Sequence, residues 1–229
     1  MLILSFNCGN KNYSKFIKEF CDGINKHTNI SEFTLIAFQE MTREHYANFR
    51  DEVYYAYPLW NDEISKKFRN GSIYDGYKNG NALVSNEKLE NFSSDTTSHS
   101  RYIFSTMAID ANIYNVYSVH LPSGKKGYNN RSQIITEIKS QIGNDKSIII
   151  GDFNMLDNEF SSLTSENWIG SRSVNTYFDY PYDRIICCNF NVNIANPIAI
   201  RMSNISDHSA LLIKLKLKFD TKRESCTIL

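Results

Sequence analysis

The segment Ser147-Ile-Ile-Ile-Gly-Asp-Phe-Asn154 leads from three consecutive isoleucines into an acidic and an amide side chain. A short β-branched run that ends at a glycine is typical of a buried strand. Asp and Asn directly after such a run are common turn residues, but strand ends are also where open sheets place their chemistry. The segment therefore predicts a buried strand that ends either in an ordinary turn or in a functional site.

The same arrangement recurs along the chain. Other apolar, strand-like runs also border on a carboxylate, an amide or an imidazole. Together with Asp152 and Asn154, the polar residues at these positions are Asn7, Glu40, His120, Asp183, Asp207 and His208. Each has an ordinary structural explanation when it is taken alone, but so many polar strand ends in one chain favour a common site.

Two helical patterns lie between the predicted strands. Apolar residues recur every three or four positions over residues 11–26 and again over residues 131–142. No linker rich in Pro, Gly or Ser divides the chain, and it has no internal repeat. We therefore predict one α/β domain over residues 1–219, with two layers of sheet flanked by helices, followed by a basic tail at 220–229.

The composition narrows the class of protein. Lys+Arg and Asp+Glu are equal at 25 each, so no overall charge attracts the chain to nucleic acid or membrane. The 5 cysteines lack zinc-ligand spacing and favour a reducing compartment over a disulfide framework. The apolar N-terminus has no basic region before it, which predicts a first strand rather than a signal peptide. We expect a cytoplasmic or nuclear monomer that is not secreted through a cleaved signal peptide.

The residue types at the strand ends suit phosphate chemistry. Hard oxygen ligands, without the Cys or His spacing of a zinc site, indicate Mg²⁺ or Mn²⁺, and Mg²⁺ needs only one or two carboxylates beside a substrate phosphate. Two imidazoles and two amides can donate to a phosphoryl oxygen whose charge grows in the transition state. The sequence has no P-loop, no kinase motif set and no Gly-x-Ser-x-Gly elbow.

The polar strand ends also belong to longer motifs. In order, these are Ser5-Phe-Asn7, Phe38-Gln-Glu40, Gly80–Ser85, Ser118-Val-His-Leu121 with Arg131-x-Gln133, Gly151-Asp-Phe-Asn154, Asp183-Arg-Ile185 and Ser206-Asp-His208. Over nearly its whole length, the sequence resembles the endonuclease/exonuclease/phosphatase superfamily. The resemblance implies a DNase I-like fold, a four-layer α/β sandwich in which two packed mixed β-sheets are flanked by helices and the active site lies at one end.

The resemblance also implies which residues bind metal and activate water. Glu40 would be the principal ligand of Mg²⁺, with Asn7 close by, and Asp207 would bind the metal directly or through water. Asp152 would orient or deprotonate the attacking water. Asn154 would hold that water or a phosphate oxygen.

The remaining roles concern the phosphate group. His208 would contact and polarise it, with Asp183 orienting the ring. Protonated His120 would donate to the phosphate or to the leaving-group oxygen. Arg131 and Arg184, which accompany these motifs, would bind the substrate. The implied reaction is metal-assisted, in-line attack of water on phosphorus.

The substrate stays open between three alternatives. The first is a phosphodiesterase that cleaves nucleic acid or a nucleotide-like diester. The second is a membrane-tethered phosphatase or phospholipase that acts on an inositol phosphate, a phosphoinositide or a sphingolipid. The third is a non-catalytic binding module on the same fold. We favour the first. The third is disfavoured because every polar position that the chemistry requires is filled.

The C-terminal sequence bears on the second alternative. Cys226-Thr-Ile-Leu229 matches a C-a-a-X box, in which a terminal Leu favours geranylgeranylation of Cys226. Lys222 and Arg223 lie just upstream and would supply the second signal that stable anchoring needs. A chance cysteine in a frayed tail is the other interpretation. Prenylation would make the protein membrane-associated and would favour a lipid phosphate as substrate.

Overall fold

A computed structural model of the protein describes most of the chain. The described residues are 1–9, 16–29, 32–42, 61–64, 79–94, 102–164, 167–171 and 173–218. The tail at 220–229, including Cys226, lies outside these residues. None of the helices in the described ranges is long and apolar enough to cross a membrane.

The described residues form strands and helices that alternate along the chain. The strands are β1 (Leu2–Asn7), β2 (Leu35–Thr42), β3 (Asn61–Ile64), β4 (Asn79–Ser85), β5 (Leu89–Ser94), β6 (Tyr102–Ile109), β7 (Asn112–His120), β8 (Ser147–Asp152), β9 (Trp168–Gly170), β10 (Asp183–Cys188), β11 (Val192–Ile194), β12 (Ile198–Arg201) and β13 (Ser209–Leu217). The helices are α1 (Phe16–Asn25), α2 (Tyr128–Ile142) and α3 (Asp157–Leu163).

The strands build two mixed sheets. One has the order β11-β13-β1-β2-β4-β3, with β12 also paired to β13, and the other has the order β5-β6-β7-β8-β10-β9. β1 pairs in parallel with β2, and β7 pairs in parallel with β8. The other strand pairs within the described ranges are antiparallel. The predicted α/β sandwich of two mixed sheets with helices outside is confirmed.

The isoleucines of β8 show how the layers pack. Ile148 and Ile150 join the apolar cluster between the sheets, whereas Ile149 points to the other side and packs under α2. Successive strand residues point to opposite faces, so a strand that is covered on both faces must be apolar at every position. This is why the isoleucine run predicts a buried strand.

The two longer helices cover the outer faces of the sheets. Phe16 and Phe20 of α1 pack against Phe6 and Phe38 of the first sheet. The second sheet is covered by α2, which ends at Gly143, a glycine with a φ of 51°. The predicted helix at residues 131–142 is confirmed and begins at Tyr128. The helix predicted over residues 11–26 is observed as α1, although residues 11–15 lie outside the described part of the chain.

The close approach of β7 and β8 depends on Gly151. A Cβ at this position would lie 2.0 Å from the carbonyl oxygen of Val119, and the φ of 147° is one that other residues rarely adopt. The same pairing places His120 beside Asp152 at the ends of the two strands. Glycine at position 151 is therefore a steric requirement of the strand pair.

We predict that Gly151→Ala destabilises the protein by more than about 4 kcal/mol, because the new methyl group forces β7 and β8 apart. Thermal or urea unfolding, followed by circular dichroism, measures the change.

Gly143→Ala is the matched control. Its φ of 51° is also unfavourable for alanine, but an added Cβ there meets nothing within 4 Å. Strain alone should cost about 1–3 kcal/mol. Equal destabilisation by the two substitutions would contradict the steric argument at Gly151.

Candidate active site

The strand ends bring the predicted polar residues together at one end of the sandwich. Asn7, at the end of β1, donates its amide N–H groups to Oδ2 of Asp152 at 3.0 Å and to Oε1 of Glu40 at 3.3 Å. Asp152 belongs to the other sheet, so the buried amide of Asn7 connects the two sheets. The main chain at Gly9 donates to the amide oxygen of Asn7 at 3.0 Å, which fixes the orientation of the amide.

Glu40 reaches the site through an irregularity in β2. The pairing of β2 with β4 shifts register between Phe38 and Met41, and Glu40 has a φ of 51°. An extra residue in a strand redirects the side chains around it, and bulges are common next to active sites. The preceding Gln39 is buried between the sheets, where it contacts Ser5 at 3.3 Å and Ser118 at 3.3 Å. These two polar contacts hold Gln39, the residue next to Glu40, in place between the sheets.

The loop after β8 fixes the orientation of Asp152. The main-chain N–H of Asn154 donates to Oδ1 of Asp152 at 2.8 Å, and the side-chain amide of Asn154 donates to the carbonyl oxygen of Leu121 at 2.9 Å. Asn154 has a φ of 49°, in a left-handed conformation that Asn tolerates better than most residues. Asn154 therefore links the loop after β8 to the loop after β7.

A buried histidine–carboxylate pair completes the inner part of the site. Nδ1 of His208 lies 2.9 Å from Oδ2 of Asp183, and Nε2 lies 3.8 Å from Oδ2 of Asp152. The hydroxyl of Ser206 donates to the main-chain oxygen of Asn7 at 2.7 Å and accepts from the N–H of His208 at 3.0 Å. These contacts attach the segment before β13 to the end of β1.

The second imidazole lies on the more accessible side of the carboxylates. Nε2 of His120 is 3.5 Å from Oε1 of Glu40 and 3.8 Å from Oδ2 of Asp152. The side chains of His120 and Glu40 are both partly exposed, whereas Asp152 is buried. The site therefore opens to solvent between His120 and Glu40.

Burial sets the proton affinity of Asp152. Desolvation and the nearby charge of Asp183 raise the pKa of the Asp152 carboxyl above its usual value. The charges of His120 and His208 and the N–H of Asn154 act in the opposite direction but do not cancel the increase. A carboxylate with a raised pKa is a stronger base, which suits a group that accepts a proton from water.

The pKa of His208 is also raised. Burial lowers it, but the hydrogen bond to Asp183 and the charge of that carboxylate raise it. The charges of Asp152 and Asp207 act in the same direction, and the resulting pKa is about 9. His208 is therefore charged at neutral pH and can donate from Nε2 to a phosphate oxygen.

The donor atoms suit a metal ion that takes few protein ligands. In the described ranges, no three His, Cys, Asp or Glu side chains are grouped as a metal cage. Glu40 still supplies a partly exposed carboxylate beside the Asn7 amide, and the carboxylate of Asp207 lies against Gly9, the residue that binds the amide oxygen of Asn7. Mg²⁺ keeps several waters and needs only one or two carboxylates. The residues fit such an ion and do not fit a closed structural zinc site.

Arg131 and Arg184, which we predicted to bind substrate, have other partners. Each is only 4% exposed. Arg131 contacts Glu159 at 2.6 Å, and Arg184 contacts Asp157 at 2.8 Å. Both guanidinium groups bind carboxylates of the protein itself, and their contact with substrate stays a prediction.

The structure also adds residues that the sequence analysis missed. The ring of Tyr177 lies 4.7 Å from that of His208, and Tyr182 stacks between Tyr177 and Tyr180 at 5.6 and 5.3 Å. Phe178, between them in sequence, is 59% exposed. We call residues 177–182 the aromatic ridge. The density of aromatic residues just before Asp183 was a signal for it in the sequence.

Comparisons with known proteins agree with this geometry. The sequence model of the Endonuclease/Exonuclease/phosphatase family matches residues 4–208. No curated protein matches the sequence.

Several solved structures have the same fold. D. rerio TDP2 complexed with single-strand DNA product has a TM-score of 0.72 at 14% identity, covering 94% of this chain and 98% of that one. The human Nocturnin catalytic domain with bound sulfate has a TM-score of 0.71 at 14% identity, covering 95% and 94%. A mannosyl-6-phosphatase from Bacteroides thetaiotaomicron has a TM-score of 0.67 at 13% identity, covering 95% and 100%. Identities this low establish the shared fold and not the substrate.

We predict that Asp183→Asn lowers the pKa of His208 below about 9, because the ring keeps its burial and loses the carboxylate that stabilises its charge. Nuclear magnetic resonance titration of the histidine ring signals in the metal-free protein measures the change.

The matched control is Asp179→Asn, at an exposed carboxylate in the aromatic ridge. It should leave the pKa of His208 nearly unchanged. An unchanged pKa in Asp183→Asn would show that the pair does not hold the proton on His208.

Proposed function

Since the chain belongs to the endonuclease/exonuclease/phosphatase family, we propose that it is a Mg²⁺-dependent phosphodiesterase acting on single-stranded nucleic acid or a nucleotide-like diester. Members of this family are phosphodiesterases or phosphatases that generally use divalent metal ions. The chain is accordingly an enzyme that hydrolyses phosphoric esters. The choice of ion and of substrate is our proposal.

The carboxylate of Asp152 is oriented to act on water. Two N–H donors, from Asn7 and Asn154, occupy its two oxygens and prevent its rotation. Its raised pKa favours proton transfer from a water molecule that attacks phosphorus. Asp152 would therefore act as the general base.

The two imidazoles stand on either side of this carboxylate. Nε2 of the charged His208 ring lies 3.8 Å from Oδ2 of Asp152, so a phosphate oxygen that approaches Nε2 from the open side of the site would receive a charge-assisted hydrogen bond next to the general base. His120 lies at the open side, where it can donate to a phosphate or leaving-group oxygen. Mg²⁺ bound at Asn7, Glu40 and Asp207 would neutralise negative charge that develops on the phosphate.

The proposal of a nucleic-acid substrate rests on the aromatic ridge. This ridge begins directly beside His208, and its Phe178 and Tyr180 are 59% and 45% exposed. Exposed aromatic rings that flank a phosphate site stack on the bases of single-stranded nucleic acid, with little dependence on sequence. An inositol ring or a sugar offers no flat π-face for such stacking. The fold is compatible with such a substrate, since D. rerio TDP2, which shares it, is complexed with a single-strand DNA product.

We predict that the purified protein hydrolyses a single-stranded oligonucleotide with Mg²⁺ and loses this activity in EDTA. Glu40→Gln should lose the metal-dependent turnover, because it removes a charged oxygen ligand. Asp152→Asn should lower kcat by about 10²–10⁴-fold, the usual contribution of a general base. Steady-state assays of the oligonucleotide, double-stranded DNA, RNA, inositol phosphates, phosphoinositides, sphingomyelin and a sugar phosphate measure these effects.

Glu90→Gln is the matched control, since Glu90 pairs with Lys88 at the surface and takes no part in the site. It should keep wild-type turnover. Equal activity in EDTA would contradict metal dependence. Turnover confined to inositol phosphates, phosphoinositides or sphingomyelin would contradict the proposed substrate and favour the lipid-phosphate alternative.

We further predict that Phe178→Ala and Tyr180→Ala each raise KM for the oligonucleotide about 10-fold, because stacking contributes about 1–3 kcal/mol per base. Neither substitution should change KM for an abasic oligonucleotide of the same length, which presents the same phosphates without bases.

Ile113→Ala provides the control at a large exposed side chain, at the opposite end of β7 from His120. It should behave as wild type with both oligonucleotides. A KM that rises equally for the normal and the abasic oligonucleotide would show that the aromatic ridge does not recognise bases.

A further inference from the structure

The helix α3 follows the loop after β8 that carries Asn154, and it makes few apolar contacts with the core. It spans seven residues, Asp157–Leu163, and none of them is fully buried. Phe160 and Leu163 contact the core only as partly buried side chains. A helix this short is not stable by itself in water, so other contacts must hold it in place.

Arg131 provides the first of these contacts. Its Nε donates to Oε1 of Glu159 at 2.6 Å, and its Nη1 donates to the main-chain oxygens of Pro122 at 2.7 Å and Gly124 at 2.9 Å. One buried guanidinium thus connects α2, the loop that follows His120, and α3.

The close packing around Arg131 depends on Gly127. An added Cβ at position 127 would lie 2.9 Å from Nη1 of Arg131 and 2.7 Å from the oxygen of Pro122. A side chain at this position would therefore push the guanidinium away from the carbonyl groups that it binds. Glycine at position 127 therefore leaves the space that the guanidinium group of Arg131 occupies.

Arg184 provides the second contact from the opposite side. It follows Asp183 on β10, and its Nη2 donates to Oδ1 of Asp157 at 2.8 Å and to the main-chain oxygen of Met155 at 3.2 Å. Its guanidinium also lies 4.4 Å from the centre of the Phe160 ring, within the range of a cation–π contact. Arg184 therefore binds both the start of α3 and the loop before it.

The loop between these contacts carries two residues of the site. Asp152 ends β8 where the loop begins, and Asn154 directly precedes Met155 and adopts a left-handed φ of 49°. Such a conformation persists only where the surrounding structure holds it. The side chain of Asn154 binds Leu121, the residue next to the carbonyl of Pro122 that Arg131 holds. Arg184 thus holds the end of the loop directly, whereas Arg131 holds α3 and the segment that the side chain of Asn154 binds.

We propose that Arg131 and Arg184 are positioning residues that hold α3, and through it the loop of Asp152 and Asn154, in the conformation that catalysis requires. This inference rests on the proposed function of the site. Their burial and their carboxylate partners account for both arginines without any contact with substrate. Glu159 and Asp157 should matter as much for the position of the loop as the arginines that they bind. In the described part of the chain, neither contacts a residue to which we assign a step of the reaction.

The test compares each arginine with its carboxylate partner. Arg131→Lys, Glu159→Gln, Arg184→Lys and Asp157→Asn are assayed with the oligonucleotide and Mg²⁺. We expect each to lower kcat by about 10- to 100-fold with little change in KM, because a small displacement of catalytic groups is costly. The double variant Arg131→Lys/Glu159→Gln should lose no more activity than either single variant, because both remove the same contact.

Hydrogen exchange gives a readout that does not depend on turnover. The N–H of Asn154 is bonded to Asp152, so its exchange should be faster in all four variants, while the melting temperature changes little. Arg201→Lys, at an exposed position on β12, and Glu90→Gln should match wild type in both measurements.

Two outcomes would overturn the proposal. If the arginine variants raise KM while Glu159→Gln and Asp157→Asn behave as wild type, the arginines bind substrate. If all four variants keep wild-type kcat and wild-type exchange at Asn154, the arginines do not hold the loop. If the wild type hydrolyses no tested substrate, the proposed function fails, and exchange at Asn154 still decides whether the arginines hold the loop.

Discussion

The parallel pairing of β7 with β8 is the constraint on which the site depends. Parallel strands need a long crossover, and here α2 provides it while covering the outer face of the sheet. The pairing brings His120 and Asp152 to the same edge, and it requires glycine at 151 because the two backbones approach so closely. The parallel pair of β1 and β2 repeats this geometry in the other sheet, and the amide of Asn7 joins the two edges.

Polar groups at this junction are buried, and their hydrogen bonds compensate for the loss of water. Asp183 holds the ring of His208, and Asn7 and Asn154 hold the carboxylate of Asp152. Glu40 adds backbone strain, since its φ is positive. Strain of this kind persists where surrounding contacts over-determine the conformation, and it is concentrated at functional sites. Charged groups that are fixed in place before the reaction are what electrostatic stabilisation of a transition state requires.

The surroundings of the site differ between exposed aromatic rings and buried arginines. Tyr177 of the aromatic ridge contacts His208, and Phe178 and Tyr180 expose the rings on which we propose that bases stack. Arg131 and Arg184, by contrast, are directed inward to carboxylates and main-chain oxygens. Arginine binds phosphate in many proteins, but here both guanidinium groups contact carboxylates of the short helix α3.

Alternation and strand ends are local properties, so the sequence was enough to predict the buried strands and the set of polar strand ends. The order of its motifs also predicted the family. The contacts of Arg131 and Arg184 with Glu159 and Asp157, and of Tyr177 with His208, became visible in the folded protein alone. These contacts join residues far apart in the chain, and the direction of a side chain across such a distance depends on packing that no local pattern encodes.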